Sequence, residues 1–139
     1  MSFAGINYLG VLVAAVAGFA FGAAYYMSLS RPWLAALGKT REQVAAEGKG
    51  SPMPFVISIV ALVVMAWVLA GTIGHLGPGQ VTWKNGVITG LFIWLGFVVT
   101  TLSVNYAFGQ RKPMLGVIDG IHWLGVLVIQ GAIIGAIGV

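Results

Sequence analysis

Apolar residues run along this chain in four long blocks, Ile6 to Met27, Pro54 to His75, Val87 to Phe108 and Met114 to Gly138, and polar residues fall mostly between them. A helix needs about 20 apolar residues to cross the hydrocarbon core of a bilayer, and each block reaches that length. Lipid offers no partner to a bare peptide group, so a spanning segment is either a helix or part of a closed barrel. These blocks are too long and too continuous for barrel strands. The pattern therefore predicts an all-α integral membrane protein whose four transmembrane helices, at about 6–27, 54–75, 87–108 and 114–138, make residues 1–139 a single membrane domain.

The stretches between the blocks set the expected topology. The first, 28–53, is the one sizeable extramembrane segment, and Thr40-Arg41-Glu42-Gln43 reads as a capping box that starts a short helix near 41–47, ending at Gly48. Trp33 and Leu34, just before it, suit the headgroup level. The segment reads first as a solvated connector and second as a partner-binding element. The other two connections are short turns, which predicts antiparallel neighbours in an up-and-down bundle. Arg31, Lys39, Arg41 and Lys49 lie in the first connection, Lys84 in the second, and Arg111 and Lys112 in the third. Basic residues concentrate in cytoplasmic loops, so the first and third connections are expected inside, with both termini and the Gly77-Pro78-Gly79 turn on the non-cytoplasmic side.

Glycines recur four residues apart within the blocks: Gly18 with Gly22, Gly86 with Gly90, Gly116 with Gly120, and Gly131 with Gly135. Small residues at that spacing let helix backbones approach in lipid, where packing drives association. The set predicts a tight bundle and leaves open whether the contacts lie within one protomer or between protomers. A fainter internal echo joins Tyr26 with Arg31-Pro32-Trp33-Leu34 to Tyr106 with Arg111-Lys112-Pro113-Met114-Leu115. It reads either as a remnant of a duplicated hairpin or as shared interface chemistry.

Asp119 is the acidic residue within the last block, and His122 follows one turn later. An ionisable side chain in a membrane helix is expensive to desolvate, which makes this pair the candidate site. Six residues past Pro113 places Asp119 roughly 9 Å into the membrane at 1.5 Å per residue. Ser103 lies at a comparable depth on helix three with Asn105 shallower, Tyr25 and Tyr26 close helix one, and Ser58 opens helix two. At 100° per residue Gly116, Asp119, Trp123, Val126 and Gln130 share one stripe expected to face protein, with His122 at its margin. Three roles compete for the pair. One is a structural lock, with Asp119 accepting hydrogen bonds from Ser103, Asn105, a tyrosine or His122. The second is a protonatable relay or cation site. The third, a metal site, has too few ligands, since His75 lies near the opposite face. Asn7 and Tyr8 are candidate caps for helix one and Asn85 for helix three, while Trp67, Trp83 and Trp94 suit aromatic belts or packing.

Composition sharpens this reading by exclusion. With 59% apolar and 7% charged residues, 21 glycines and five tryptophans, the chain lies outside the soluble globular range. A formal charge of +4 would suggest nucleic acid in a soluble protein, but these basic residues sit beside membrane segments, so nucleic acid is set aside. The absence of cysteine removes disulfides, thiolate metal sites and thiol nucleophiles together. No nucleophile elbow, HExxH or phosphate loop occurs, so neither an enzyme nor a cofactor is expected. Met1-Ser2-Phe3-Ala4-Gly5 lacks the positive region of a signal peptide, and the first helix is expected to be retained.

With these residues in view, the chain resembles, over almost its full length, a family of small bacterial four-helix membrane proteins known as domain of unknown function 1761. The likeness rests on Asn7 before a Val/Ala-rich first helix, Gly22-Ala23-Ala24-Tyr25-Tyr26 with Trp33 following, and Arg111-Lys112-Pro113 leading into Ile118-Asp119-Gly120-x-His122. It departs at Tyr25-Tyr26, where the family often has Trp-Tyr, and at Gly109-Gln110, where an acidic residue often precedes the fourth helix. The resemblance implies a bacterial inner-membrane location and a four-helix topology, and brings no activity with it. The expected function is a membrane bundle, homo-oligomeric or part of a complex, whose protonatable site serves proton- or cation-linked permeation or small-ligand binding. The alternative is a non-catalytic accessory or scaffolding subunit of a larger membrane complex.

Overall fold

Capping and proline chemistry fix where the helices begin and end in the computed structural model, which describes residues 3–139. Met1 and Ser2, from the N-terminal segment without a signal-peptide pattern, lie outside the described residues. Asn7 opens α1 (Tyr8–Ser28), its side-chain oxygen accepting the Gly10 N–H at 3.1 Å. Four residues beyond Ser28, Pro32 has no N–H to return to the Ser28 carbonyl and its ring crowds that oxygen. The helix breaks at Leu29 (φ −102°, ψ 19°) and restarts as α2 (Ser30–Leu37), which Gly38 closes in the left-handed conformation at φ 70°. The first connection thus holds two short helices where one was expected, and Trp33 and Leu34 belong to the first of them.

The second short helix, α3 (Arg41–Gly48), carries both halves of its capping box. Gln43 N–H donates to the Thr40 hydroxyl at 3.2 Å and Thr40 N–H donates to the Gln43 side chain at 2.8 Å. Next comes α4 (Met53–Gly74), with proline in its first turn, where a missing N–H costs nothing. The third long helix starts at Trp83, ahead of the expected Val87, because Thr82 is extended and its hydroxyl accepts the Asn85 N–H at 3.2 Å. Asn85 is therefore not the cap, and its side-chain amide donates to the Gln80 carbonyl at 2.8 Å. This span runs through α5 (Trp83–Ile93), a wider π-helical segment at Trp94–Val99, and α6 (Thr100–Phe108). The last helix is α7 (Pro113–Ile137).

Among the described residues, four helices are long and apolar enough to cross a membrane: Tyr8–Ser28, Met53–Gly74, Trp83–Phe108 and Pro113–Ile137. They pack as a bundle in a multi-pass membrane protein. The hub is α7, which packs on α1, α4 and α5 and also touches α2 and α6. The main core, with Ala14, Leu69, Ile73, Val126 and Ile134 almost inaccessible, lies between α1, α4 and α7. The third span is peripheral and meets α7 chiefly through α5.

That meeting is glycine on glycine. A Cβ on Gly86 would overlap the Gly131 carbonyl, one on Gly131 the Gly86 carbonyl, and one on Gly135 the Thr82 carbonyl. A Cβ on Gly90 would come within 2.6 Å of the Leu127 carbonyl. Gly18 faces Leu62 and Gln130, Gly22 faces His122, and Gly116 faces the Tyr106 ring. These contacts all lie within one chain. Gly120 is different: a Cβ there meets nothing within 4 Å, so its place in the glycine series reflects open space and not helix contact.

The two ends of the bundle differ. At one end the Lys112 ammonium donates to the Ala35 carbonyl at 3.0 Å, joining the first basic connection to the third. At the other, Ala4, Ile6, Gly77, Pro78 and Val139 line a common hollow, where Gly77 and Gly79 supply the positive φ values of the turn (97° and 75°).

Candidate functional site

Asp119 sits on α7 near the basic end of the bundle, and both of its carboxylate oxygens are taken. Tyr26 of α1 donates its hydroxyl to Oδ1 at 2.5 Å, and Tyr106 of α6 donates to Oδ2 at 2.5 Å. Such short O–H···O contacts to a carboxylate belong to the strong, charge-assisted class. The neighbouring main chain is bound as well. Tyr25 donates to the Ile118 carbonyl at 2.7 Å, and the Trp94 indole N–H donates to the Gly120 carbonyl at 2.8 Å. α1 and the third span therefore grip consecutive residues of α7 from opposite flanks. The floor beneath is a small second core of Ala36, Leu115 and Ile118, packed by Tyr25, Trp33 and Tyr106.

The echo between Tyr26 and Tyr106 becomes intelligible here. Each tyrosine lies two residues before the end of its helix, Ser28 in one case and Phe108 in the other, and a basic residue and a proline follow. The two repeats converge on one carboxylate.

Sequence reasoning passed over Tyr106 as a site residue and named Ser103 and Asn105 from the same helix. Both are exposed, and the Ser103 hydroxyl folds back onto the Val99 carbonyl at 2.7 Å, a local bond typical of serine in helices. The reason lies in the π-helical segment. Continued at α-helical spacing, the inward series Gly86, Gly90 and Ile93 would bring Phe97, Val104 and Phe108 to the bundle, yet these three are exposed. The wider turn takes up an extra residue and shifts the inward face to Val98, Leu102 and Tyr106. The Thr100 hydroxyl satisfies the loosened backbone by donating to the Gly96 carbonyl at 2.8 Å. Deleting Gly96 should remove the extra residue, so that α-helical spacing runs through the span while Tyr106 still faces Asp119. Tyrosine absorbance and fluorescence should then match those of the wild type, and spectra matching those of Tyr106→Phe after allowance for the missing ring would refute this account.

His122 is buried, and Nδ1 has no hydrogen-bond partner. Its ring lies among aromatics, 4.8 Å from Tyr26 and 4.7 Å from Trp123 between centroids, and its Nε2 lies 2.8 Å from where a Gly22 Cβ would stand. Glycine at position 22 is what leaves room for the imidazole. Gln130, grouped with Asp119 by the stripe, is about three helical turns away. Fully buried, it donates to the Leu62 carbonyl at 3.0 Å, while its own Oε1 has no partner. It bridges α7 to α4 and does not join the Asp119 cluster. Among the described residues no group of three or more potential metal ligands comes together.

Two grooves flank α7 at this level. One, of about 510 Å³, runs between the third span and α7, with Trp94, Leu102, Tyr106, Gly116, Gly120 and Ile121 on its walls and Arg111 at its edge. The other, of about 340 Å³, lies between α1, α4 and α7 and is lined by Gly22, Tyr26, Phe55, Ser58, His122 and Trp123. Tyr106 opens on the first and Tyr26 on the second, with Asp119 between them.

Residues 9–135 match the model of a family described as protein of unknown function (DUF1761). The chain belongs to this family. No curated protein and no solved structure matches it. The DUF1761 match spans all four long helices and every residue of the tyrosine–aspartate cluster. In this DUF1761 chain the Tyr25-Tyr26 pair divides the work: Tyr25 holds the α7 backbone and Tyr26 holds the carboxylate. Just before α7, Gln110 adopts a left-handed turn (φ 50°), and Arg111 N–H returns to the Tyr106 carbonyl at 2.9 Å. That turn closes the third span immediately after its site tyrosine.

Proposed function

We propose that this protein is a polytopic protein of the bacterial inner membrane in which Asp119, held between Tyr26 and Tyr106, is a proton-exchange site serving proton- or cation-linked permeation or the binding of a small ligand. One observation carries the reading: the two hydroxyls on the carboxylate come from different helices and open on different grooves. A carboxylate bridging two hydroxyls can take a proton from one side and release it to the other, and acidic residues in membrane helices commonly mark ion or substrate paths. His122, on the wall of the second groove, is a second titratable side chain beside this path. The reading assigns no catalytic step. The helices run up and down, with both termini outside and the two basic connections in the cytoplasm. The Lys112–Ala35 bond supports one shared end for those connections, and their basic residues favour the cytoplasmic side for it. The largely lipid-facing third span leaves room for a second copy or a larger complex.

The test is proton and cation flux into liposomes carrying the purified protein, wild type beside Asp119→Asn, across about pH 5.5 to 8. Flux in the wild type that is lost in Asp119→Asn is the expected result. Flux unchanged by the substitution removes Asp119 from any pathway. A second reading, an accessory subunit in which the cluster only locks helix register, is favoured by the pairing of both Asp119 oxygens. Absence of flux in either protein would select it.

A further inference from the structure

The groove between the third span and α7 has features that proton exchange at Asp119 does not use. It is open along its side, so in a bilayer it faces lipid, and at about 510 Å³ it falls within the roughly 300–1,000 Å³ range of small-ligand sites. Its walls are apolar along most of their length, with Trp94, Leu102 and Ile121 beside the bare backbones of Gly116 and Gly120. The gap at Gly120 is real, because a Cβ there would touch nothing within 4 Å.

Polarity appears at one end. Arg111 lies on the groove in the connection at the basic end of the bundle, the level of lipid headgroups. Among the described residues the one ion pair is Lys39 with Glu47, so Arg111 has no carboxylate partner. Lys112 adds a second positive charge beside it. The chain has three acidic residues, Glu42, Glu47 and Asp119; Glu47 is engaged by Lys39, and Asp119 by two tyrosines.

We propose that this groove binds one anionic phospholipid, with an acyl chain along the Trp94–Gly120 wall and its phosphate on Arg111. A guanidinium presents a planar fork of donors that matches phosphate oxygens. The excess of positive charge at the mouth selects a headgroup of net negative charge over a zwitterionic one. The apolar wall selects an amphiphile over free phosphate. The site stands whether or not Asp119 exchanges protons.

The experiment is thermal unfolding of the full chain in neutral detergent, followed by tryptophan fluorescence, with added phosphatidylglycerol, phosphatidylcholine or inorganic phosphate. Phosphatidylglycerol should raise the midpoint by about 4 °C or more, phosphatidylcholine by less than half as much, and phosphate not at all. Arg111→Gln, at an exposed position, should weaken phosphatidylglycerol binding about tenfold, the usual cost of losing a charge-assisted hydrogen bond. Gly120→Leu, which fills open space, should remove the shift with helix content unchanged. Equal shifts from the two lipids, a full shift from phosphate alone, or retention of the wild-type shift in either variant would overturn the proposal. The comparison among ligands needs only the wild-type protein, so it decides even if a variant folds poorly.

Discussion

Replacing Gly86 or Gly131 with valine is expected to separate α5 from α7 and cost roughly 3 kcal/mol or more, the upper end of overpacking penalties. At most helix crossings a new methyl group meets a side chain that can move. Here a Cβ on either glycine meets the other's main-chain carbonyl, so the helices themselves must part. Parting them also weakens the Gly90–Leu127 and Gly135–Thr82 approaches along the same seam. Since packing, and not water exclusion, holds helices together in lipid, little is left to compensate. Unfolding in mixed micelles with increasing dodecyl sulfate measures the loss. Gly120→Ala is the matched control and should be neutral or up to about 1 kcal/mol stabilising, because alanine is the better helix former and the space is free. A Gly86→Val protein as stable as wild type would mean that these backbones are not in contact.

The second large effect is expected at the carboxylate. Asp119→Ala leaves the Tyr26 and Tyr106 hydroxyls without their acceptor, and should cost about 1.5–3 kcal/mol, the range for hydrogen bonds to a charged group. That exceeds the roughly 0.6 kcal/mol of a typical interhelical bond in a membrane, because two short bonds to one carboxyl group are lost together. Asp119→Asn should cost less than half as much, since an amide accepts from one tyrosine and donates to the other. With Tyr26→Phe and Tyr106→Phe both present, Asp119→Ala should lose most of its effect, giving a coupling of about 1 kcal/mol or more. Simple additivity of the aspartate and tyrosine substitutions would show that the hydroxyls do not hold the carboxylate. The pair of aspartate variants also separates the two functional readings, because Asp119→Asn keeps the fold while removing the exchangeable proton.

The placement of Ser103, Asn105 and Tyr106 shows where one-dimensional reasoning stops. Depth in the membrane follows from counting residues from a helix end, and all three lie at a similar level. Facing depends on cumulative rotation. One wide turn at Trp94–Val99 shifts the phase of everything after it by about 100°. A glycine and a threonine near that turn are too common in membrane helices to announce it. The signal that could have found Tyr106 was the echo with Tyr26, which pairs the two hydroxyls by position before any fold is known.

By itself the sequence determined what local chemistry and solvent dictate. Four apolar blocks must be helices because lipid will not solvate a peptide group, and the capping box at Thr40-Gln43 and the cap at Asn7 follow from nearby side chains. It also marked Asp119, because a lone acid in an apolar helix needs partners. Only the tertiary structure decided who those partners are. It put Tyr26 and Tyr106 on the two carboxylate oxygens, gave His122 the space left by Gly22, and sent Gln130 to Leu62. The physical reason is that partnership across helices depends on rotation and approach distance, which accumulate over whole helices and which no short stretch of sequence carries.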